Sequence, residues 1–180
     1  MRIIILSFLV IFMSCATTKK ALTTSEINSL KEKIDSNLIE ATFNWAQPLA
    51  LNNNVRGLEA LLPPGSSSGN INLMGNSNFF RINKDSIHID LPYYGQQQLS
   101  RGYNSDGGIK FEGSADSVEK VFNSKKAAYI LKYVLKAKDE SYNVVLTLYA
   151  SNKSNLSVSS SHRTNISYRG EWEIMKETAK

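Results

Sequence analysis

Cysteine, histidine and proline are scarce in this chain of 180 residues, which has one, two and four of them respectively. A single cysteine excludes an internal disulfide, so the folded core must come from apolar packing alone. The sequence contains no paired metal-binding histidines and no Gly-x-Ser-x-Gly stretch, so it lacks the common zinc and serine hydrolase motifs. From these absences we predict no enzyme activity, no metal site and no cofactor.

Long hydrophobic runs are also missing, apart from one at the start of the chain. Residues 3–13 are apolar except for Ser7, follow the basic Arg2 and lead into Ser14. As a helix this run spans roughly 17 Å against about 30 Å of bilayer hydrocarbon, so it is too short to cross a membrane. A basic start, an apolar middle and a small residue before the cut are typical of a secretory signal peptide, here residues 1–14.

Cys15 stands directly after the predicted cleavage site, where a bacterial lipoprotein is cut and lipidated. The alternative is an ordinary cleaved leader with a coincidental cysteine. Because about two acyl chains suffice for stable anchoring, a lipidated Cys15 predicts a protein held to a membrane of the cell envelope. Lys19 and Lys20 follow with no acidic cluster beside them, which favours the periplasm-facing leaflet.

Positive charge is in modest excess, with 21 Lys and Arg against 16 Asp and Glu and a net charge of +5. The basic residues are spread along the chain as pairs, typical of solvated faces, and an exported protein does not meet nucleic acid. We therefore predict no nucleic-acid partner. A small ligand and an envelope protein stay open as partners.

One amphipathic helix and a series of strands are predicted. Thr23 and Glu26 have the spacing of a capping box, and apolar residues then recur every three or four positions. From Ile39 onward the apolar period changes to two, as in half-buried strands. The apolar positions that mark these strands are Ile39, Ala41, Phe43 and Trp45; Phe80 and Ile82; Ile87, Ile89 and Leu91; Ile109 and Phe111; Ala127, Tyr129, Leu131, Tyr133 and Leu135; Tyr142, Val144, Leu146 and Leu148; Leu156 and Val158; and Ile166, Tyr168 and Trp172.

The fold class predicted from this pattern is mainly β. We expect an antiparallel barrel or sandwich of about seven to nine strands with one N-terminal helix, because exposed sheet edges invite aggregation. Residues 15–23 are predicted as a tether, residues 24–175 as a single β-rich domain and residues 176–180 as a frayed tail.

Four short motifs occur in order along the chain: Phe43-x-Trp45-Ala46-x-x-Pro48, Leu91-Pro92-Tyr93-Tyr94-Gly95, Asp106-Gly107-Gly108-Ile109-Lys110-Phe111 and Arg163-x-x-Ile166-Ser167-Tyr168-x-Gly170. Together they resemble a family of small Gram-negative lipoproteins catalogued as domain of unknown function 4251, over residues 25–173. The resemblance implies an envelope location and a β-rich fold, and it implies no activity. Gln96-Gln97-Gln98 stands where an Arg-Ala-Tyr run is usual in the family, so no role of that loop is carried over.

Tyrosines and charged residues of one long polar loop, with two residues near the chain end, form the candidate ligand site. Tyrosines beside an arginine can stack on sugars, aromatic groups or peptides and hold polar groups by hydrogen bonds. The set is Tyr93, Tyr94, Arg101, Tyr103, Asp106, Arg163 and Tyr168. The structural alternative is that Tyr93 or Tyr168 pins the loop to the barrel through its hydroxyl, and that Arg163 pairs with Asp106.

The two histidines favour a structural interpretation. His88 and Asp90 share one face of a strand, which suits half of a metal site or an acid–base pair. The other face of that strand is apolar, so we expect this face to be solvated. His162 is expected at a hairpin tip, exposed to solvent.

Three functions stay open. A non-catalytic binding or accessory module predicts an open cavity lined by Tyr93, Tyr94 and Tyr103. A hydrolase of envelope material predicts two carboxylates about 5–10 Å apart in a cleft. A purely structural interaction protein predicts an exposed apolar patch of about several hundred Å². The missing catalytic set favours the first.

Overall fold

The computed structural model describes residues 23–49, 62–98 and 107–175. In these ranges the chain forms one helix and ten strands. The predicted signal peptide, Cys15, nearly all of the predicted tether and the predicted tail lie outside the described residues. Three residues of the candidate ligand site, Arg101, Tyr103 and Asp106, lie outside them as well.

Helix α1 (Thr24–Asp35) begins where the sequence predicts it. The Glu26 backbone N–H donates to the Thr23 hydroxyl at 3.3 Å, and the Thr23 backbone N–H donates to the Glu26 carboxylate at 2.7 Å. This reciprocal capping box satisfies donors that the first turn of a helix leaves free. Leu30 and Ile34 on one side of the helix are buried and join the core of the sheet.

Ten antiparallel strands follow the helix. They are β1 (Leu38–Pro48), β2 (Ile71–Asn72), β3 (Phe79–Asn83), β4 (Ser86–Leu91), β5 (Ile109–Ser114), β6 (Ser117–Asn123), β7 (Ala128–Lys136), β8 (Ser141–Tyr149), β9 (Lys153–Ser160) and β10 (Ile166–Ile174). Nine of them pair in the order β5-β4-β3-β1-β10-β9-β8-β7-β6, and the two-residue β2 pairs with β1. The predicted mainly β fold with one N-terminal helix is therefore confirmed.

The sheet curls into a half-barrel whose two edges are β5 and β6. Four strands separate β3 from β7 in the sheet, yet the rings of Phe80 on β3 and Tyr133 on β7 have centroids 5.8 Å apart. Only a strongly curved sheet brings those side chains together. The structure thus resolves the choice between barrel and sandwich as a curled, open sheet with the core on its inner face.

Period-two alternation identifies the inner face of most strands correctly. On β8, for example, Tyr142, Val144, Leu146 and Leu148 are buried while the residues between them face outward. The long strand predicted to begin at Ala127 begins at Ala128, because Ala127 lies in the preceding turn with a φ of 50°.

Strand β6 is the long strand that the sequence pattern misses. Its first five residues are exposed and its last two are half-buried. Neither face of its first five residues is covered, so this strand lacks the alternation of buried and exposed positions that marks the others. Strand β2 is also missed, because two residues are too short for any periodicity.

A bulge in β1 shifts its pairing with β10 between Phe43 and Trp45. The buried Asn78 side chain satisfies the backbone there: its amide oxygen accepts from Phe43 N and its amide nitrogen donates to Phe43 O, both at 2.9 Å. On β10 a Cβ at Gly170 would come within 1.8 Å of the Thr42 carbonyl oxygen. The motif glycine is therefore required for the two strands to approach.

Candidate functional site

A strap formed by residues 92–98 crosses the loop between β9 and β10. Gln98 N donates to His162 O at 2.8 Å, and Thr164 N donates to Gln96 O at 3.0 Å. Gln96 N in turn donates to the Thr164 hydroxyl at 3.1 Å. These bonds fix the first half of the predicted ligand loop against the end of the half-barrel.

The tyrosine hydroxyls at this end are engaged with backbone. Tyr168 donates to the Pro92 carbonyl oxygen at 2.8 Å. The Tyr93 hydroxyl lies 2.9 Å from the carbonyl oxygens of Gln96 and Thr164. These are the contacts of the structural alternative, in which the tyrosines pin the loop. Tyr94 packs half-buried against the core.

Gly95 explains why the LPYYG motif ends in glycine. A Cβ at this position would lie 2.2 Å from the Tyr93 hydroxyl oxygen and 2.7 Å from the Thr164 hydroxyl oxygen. Real Cβ atoms do not tolerate such distances, so any side chain would push the strap away from the β9–β10 loop.

Arg163 is buried at the centre of this end of the molecule. Its Nε donates to the two carboxylate oxygens of Glu140 at 3.0 and 3.2 Å, and its Nη1 donates to the carbonyl oxygens of Gly107 and Gly108 at 2.8 and 2.9 Å. The arginine and glutamate side chains are 2% and 0% exposed. The guanidinium carbon lies 5.1 Å from the centre of the Tyr93 ring.

Glu140 is the partner that sequence reasoning missed. The structural alternative paired Arg163 with Asp106, which lies outside the described residues; within them, Arg163 pairs with Glu140. Glu140 also accepts from the Tyr142 hydroxyl at 2.9 Å and from the Ser160 hydroxyl. Glu140 lies in a polar turn before β8, and the sequence pattern of such a turn predicts solvent exposure. Nothing in the local pattern indicates a buried carboxylate.

Burial raises the pKa of the Tyr168 phenol, and the nearby Tyr93 and Tyr94 raise it further while Arg163 opposes them. Desolvation also raises the pKa of Tyr133 in the core. In a low-dielectric interior the neutral phenol is favoured over the phenolate. These tyrosines therefore act as neutral hydrogen-bonding or packing groups. The ligand-binding role predicted for the tyrosine loop stays a prediction.

A second polar cluster lies on the outer face of the sheet, where side chains from five neighbouring strands form one row. Consecutive residues of the row are paired across the strands, in the order Glu173 (β10), Glu40 (β1), Arg81 (β3), His88 (β4) and Glu112 (β5). With Asn83, Ser86, Ile174 and Met175 they line a depression of about 740 Å³, here called the outer groove.

Three contacts hold side chains at the centre of the outer groove. Arg81 donates from Nε and from Nη2 to the two carboxylate oxygens of Glu40, at 2.7 and 3.2 Å. Its guanidinium carbon lies 3.8 Å from the centre of the Phe79 ring, a cation–π distance. His88 Nε2 lies 3.1 Å from the Glu112 carboxylate.

The two histidines are exposed or half-exposed, as expected. The side chain of His88 is 47% exposed on the outer face of β4. His162 lies in the turn between β9 and β10, where its ring nitrogen Nδ1 is 2.6 Å from the Ser161 hydroxyl. In the three described ranges, no three His, Cys, Asp or Glu side chains are grouped to hold a metal ion.

Large apolar side chains exposed in the described part of the chain are scattered over several elements: Leu49, Met74, Val118, Val121, Val145 and Ile174. Val118 and Val121 both lie on the edge strand β6, but an odd spacing puts them on opposite faces. Helix α1, the one helix in the described ranges, lacks the length and apolar character needed to cross a membrane.

Comparison with known proteins identifies one family. The profile of a family described as "Domain of unknown function (DUF4251)" matches residues 21–172. A crystal structure of a DUF4251 family protein from Bacteroides eggerthii DSM 20697 is similar, with a TM-score of 0.53 and 12% identity over 83% of this chain and 88% of that one. At this identity the likeness concerns the fold alone. No curated protein matches the chain.

Proposed function

This chain belongs to the DUF4251 family, and from that premise we propose that it is a lipid-anchored binding module of the cell envelope, without chemistry of its own. Cys15 carries the anchor, the domain faces the periplasm, and the ligand binds in the outer groove. The family description assigns no activity, so support for binding comes from the groove.

The row of polar side chains in the outer groove is the observation that carries the proposal. Ligand sites are concave, enclose about 300–1,000 Å³ and present a few convergent polar groups. The groove has a volume of about 740 Å³ and is lined by carboxylate, guanidinium, imidazole, amide and hydroxyl groups. Its row stands on five hydrogen-bonded strands, which fix the backbone positions of these residues before a ligand arrives.

The alternative function, a carboxylate-dependent hydrolase, has one supporting observation. Glu40 and Glu173 are directly opposite on paired strands, where Cβ atoms lie about 4.5–5.5 Å apart, a spacing compatible with the carboxylate separation that glycosidases use. Both oxygens of Glu40 are bound by Arg81, however. A catalytic carboxylate needs a free oxygen aimed at the substrate or at water. The geometry therefore favours binding over hydrolysis.

Cell fractionation tests the anchor. We expect the wild-type protein in the membrane pellet and the Cys15→Ala variant in the soluble fraction, because the thioether to the lipid can no longer form. Mass spectrometry of the N-terminal peptide should show an acylated Cys15 as the first residue. An unmodified cysteine on an intact leader would overturn this part of the proposal.

Solution NMR of the full chain in detergent micelles tests the groove. The probes are a capped trilysine peptide, inorganic phosphate and N-acetylglucosamine, which represent a cation, an anion and a neutral sugar. At least one should cause saturable shifts of the amide signals of Glu40, Arg81, His88 and Glu173. If none of the three shifts these signals, the outer groove is not a ligand site.

A further inference from the structure

Two glutamates of the outer groove face each other without an intervening cation. Glu40 on β1 and Glu173 on β10 are directly opposite in the antiparallel ladder. Side chains in this relation have Cβ atoms about 4.5–5.5 Å apart, and like charges there destabilise the sheet. A positive charge between or beside the two carboxylates would remove this repulsion.

The cations of the groove are already paired elsewhere. The Arg81 guanidinium binds the Glu40 carboxylate. Arg81 is on β3, which flanks β1 on the side opposite to β10 and Glu173. The imidazole of His88 lies beside Glu112. Within the described ranges Glu173 makes no hydrogen bond or ion pair, so its carboxylate is free for an incoming group.

The groove is locally negative in a basic protein. Its lining contains three carboxylates and one guanidinium, a charge of −2 with the imidazole counted as neutral, whereas the whole chain carries +5. Opposite charge steers a ligand to a surface and selects against ligands of the same sign. The local charge favours a cation.

Next to Glu173 the groove is apolar. Half-buried Met175, two residues beyond Glu173, lines the wall on that side. Ile174 also borders the groove, but it is paired with the buried Ile39, so its side chain belongs to the inner face of the sheet. Lysine and arginine side chains combine an aliphatic stem with a cationic head, so one side chain can contact both parts of this wall. Asn83 and Ser86 also line the groove and can bond to the amide groups of a peptide.

We infer that the outer groove binds a basic peptide segment. The ammonium or guanidinium head of a lysine or arginine lies between Glu40 and Glu173, and its stem lies along Met175. The inference rests on the proposed binding function of the groove and names the chemistry of its ligand. Free polyamines share the cationic head but lack the peptide amides.

Glu173→Gln and Glu171→Gln form a matched pair of variants. Both residues are exposed on the outer side of β10, two positions apart, but Glu171 is paired with Lys153 and is not part of the groove. Each variant removes one negative charge from the same strand, so a loss of binding through general electrostatics affects both equally.

Calorimetric titration of the full chain in micelles of a neutral detergent, at low salt, measures the effect. The probes are a capped trilysine peptide, a capped triglutamate peptide and spermidine. Glu173→Gln should weaken trilysine binding about fivefold, the factor that corresponds to one exposed ion pair, while Glu171→Gln changes it less than about twofold. Spermidine should bind more weakly than trilysine, and triglutamate should not bind.

A second readout does not depend on any ligand. Glu173→Gln removes the repulsion with Glu40, so it should raise the melting temperature of the free protein by about 1–2 °C. Glu171→Gln breaks an ion pair instead and should not raise it. A merely structural role for Glu173 predicts a lower melting temperature.

Several results would overturn the inference: an equal loss of trilysine binding in both variants, no loss in Glu173→Gln, or spermidine binding as tightly as trilysine. Its failure is separable from failure of the proposed function. If phosphate or N-acetylglucosamine shifts the groove signals and trilysine does not, the groove binds a ligand of another class. If no probe shifts them, both fail.

Discussion

The described residues contain two arginine–glutamate pairs with an aromatic ring beside the arginine, and the two pairs differ in burial. The Arg163–Glu140 pair at the strap is 2% and 0% exposed. The Arg81–Glu40 pair in the outer groove is 39% and 23% exposed. The chemical groups are the same, so the difference between the two regions comes from their surroundings.

The buried pair is surrounded by further protein partners, because desolvated charges are costly unless their hydrogen-bonding capacity is used. Gly107, Gly108, Tyr142 and Ser160 supply most of those partners, and only Arg163 Nη2 has none among the described residues. The Arg81–Glu40 pair is only part-buried and belongs to a row whose end carboxylate, Glu173, makes no hydrogen bond or ion pair within the described ranges. Burial makes the first pair a structural clamp, and exposure leaves the second available to a ligand.

The largest expected effect is on the buried pair. Glu140→Ala leaves the Arg163 guanidinium buried without its counter-charge, and we expect a loss of about 3–5 kcal/mol in the free energy of unfolding. Urea denaturation followed by circular dichroism measures this loss. Glu171→Ala, which removes the exposed partner of Lys153, is the control and should cost less than about 1 kcal/mol. Equal losses in the two variants would abolish the contrast between buried and exposed charge.

A second prediction uses the buried tyrosines of the same region. Burial raises the pKa of Tyr168 and Tyr133 above the ordinary value of about 10, so the folded state keeps both phenols neutral. Their contribution to stability is complete below pH ~10 and is lost as the pH rises further, by about 1.4 kcal/mol per pH unit for each tyrosine.

Urea midpoints measured at steps between about pH 9 and pH 11 test this slope. Tyr168→Phe should have a shallower decline than the wild type, because one phenol with a raised pKa is gone. At neutral pH the same variant should lose about 1 kcal/mol, since the Pro92 carbonyl oxygen loses its donor. A wild-type slope in Tyr168→Phe would show that this phenol is not shielded as the structure implies.

Local sequence patterns were sufficient for most of the fold. The capping box at Thr23 marks the helix start, and alternation marks the inner face of strands such as β8, because both signals depend only on neighbouring residues. The pattern did not predict the edge strand β6, because its first five residues are exposed on both faces. That the sheet curls was predicted, but its extent, a half-barrel with open edges at β5 and β6, could not be, since it depends on twist accumulated over nine strands.

The candidate sites depended on contacts between distant residues. Tyr93 and Tyr168 were correctly given a structural alternative, in which their hydroxyls bond to backbone. Glu140 was missed, because a buried carboxylate in a turn has the same sequence signature as a solvated one. The sequence did not indicate the outer groove. Glu40 and Glu173 are opposite only through the register of β1 with β10. That register joins strands far apart in the chain, and neither strand's own sequence specifies it.

The smallest expected effect is on the part-buried Arg81–Glu40 pair. A variant of this pair tests most directly whether burial separates the two pairs. Glu40→Gln removes the ion pair with Arg81, which costs at most about 1 kcal/mol at this exposure. It also removes the repulsion with Glu173, which stabilises the fold by a similar free energy. The two changes offset each other, so the free energy of unfolding should stay within about 0.5 kcal/mol of the wild-type value, and the difference should shrink further between about 0.05 and 0.5 M salt because exposed charges are screened. Urea denaturation at both salt concentrations measures it. A loss comparable to that of Glu140→Ala would mean that the outer pair is as structural as the buried one, and the groove would then be part of the scaffold rather than a place for a ligand.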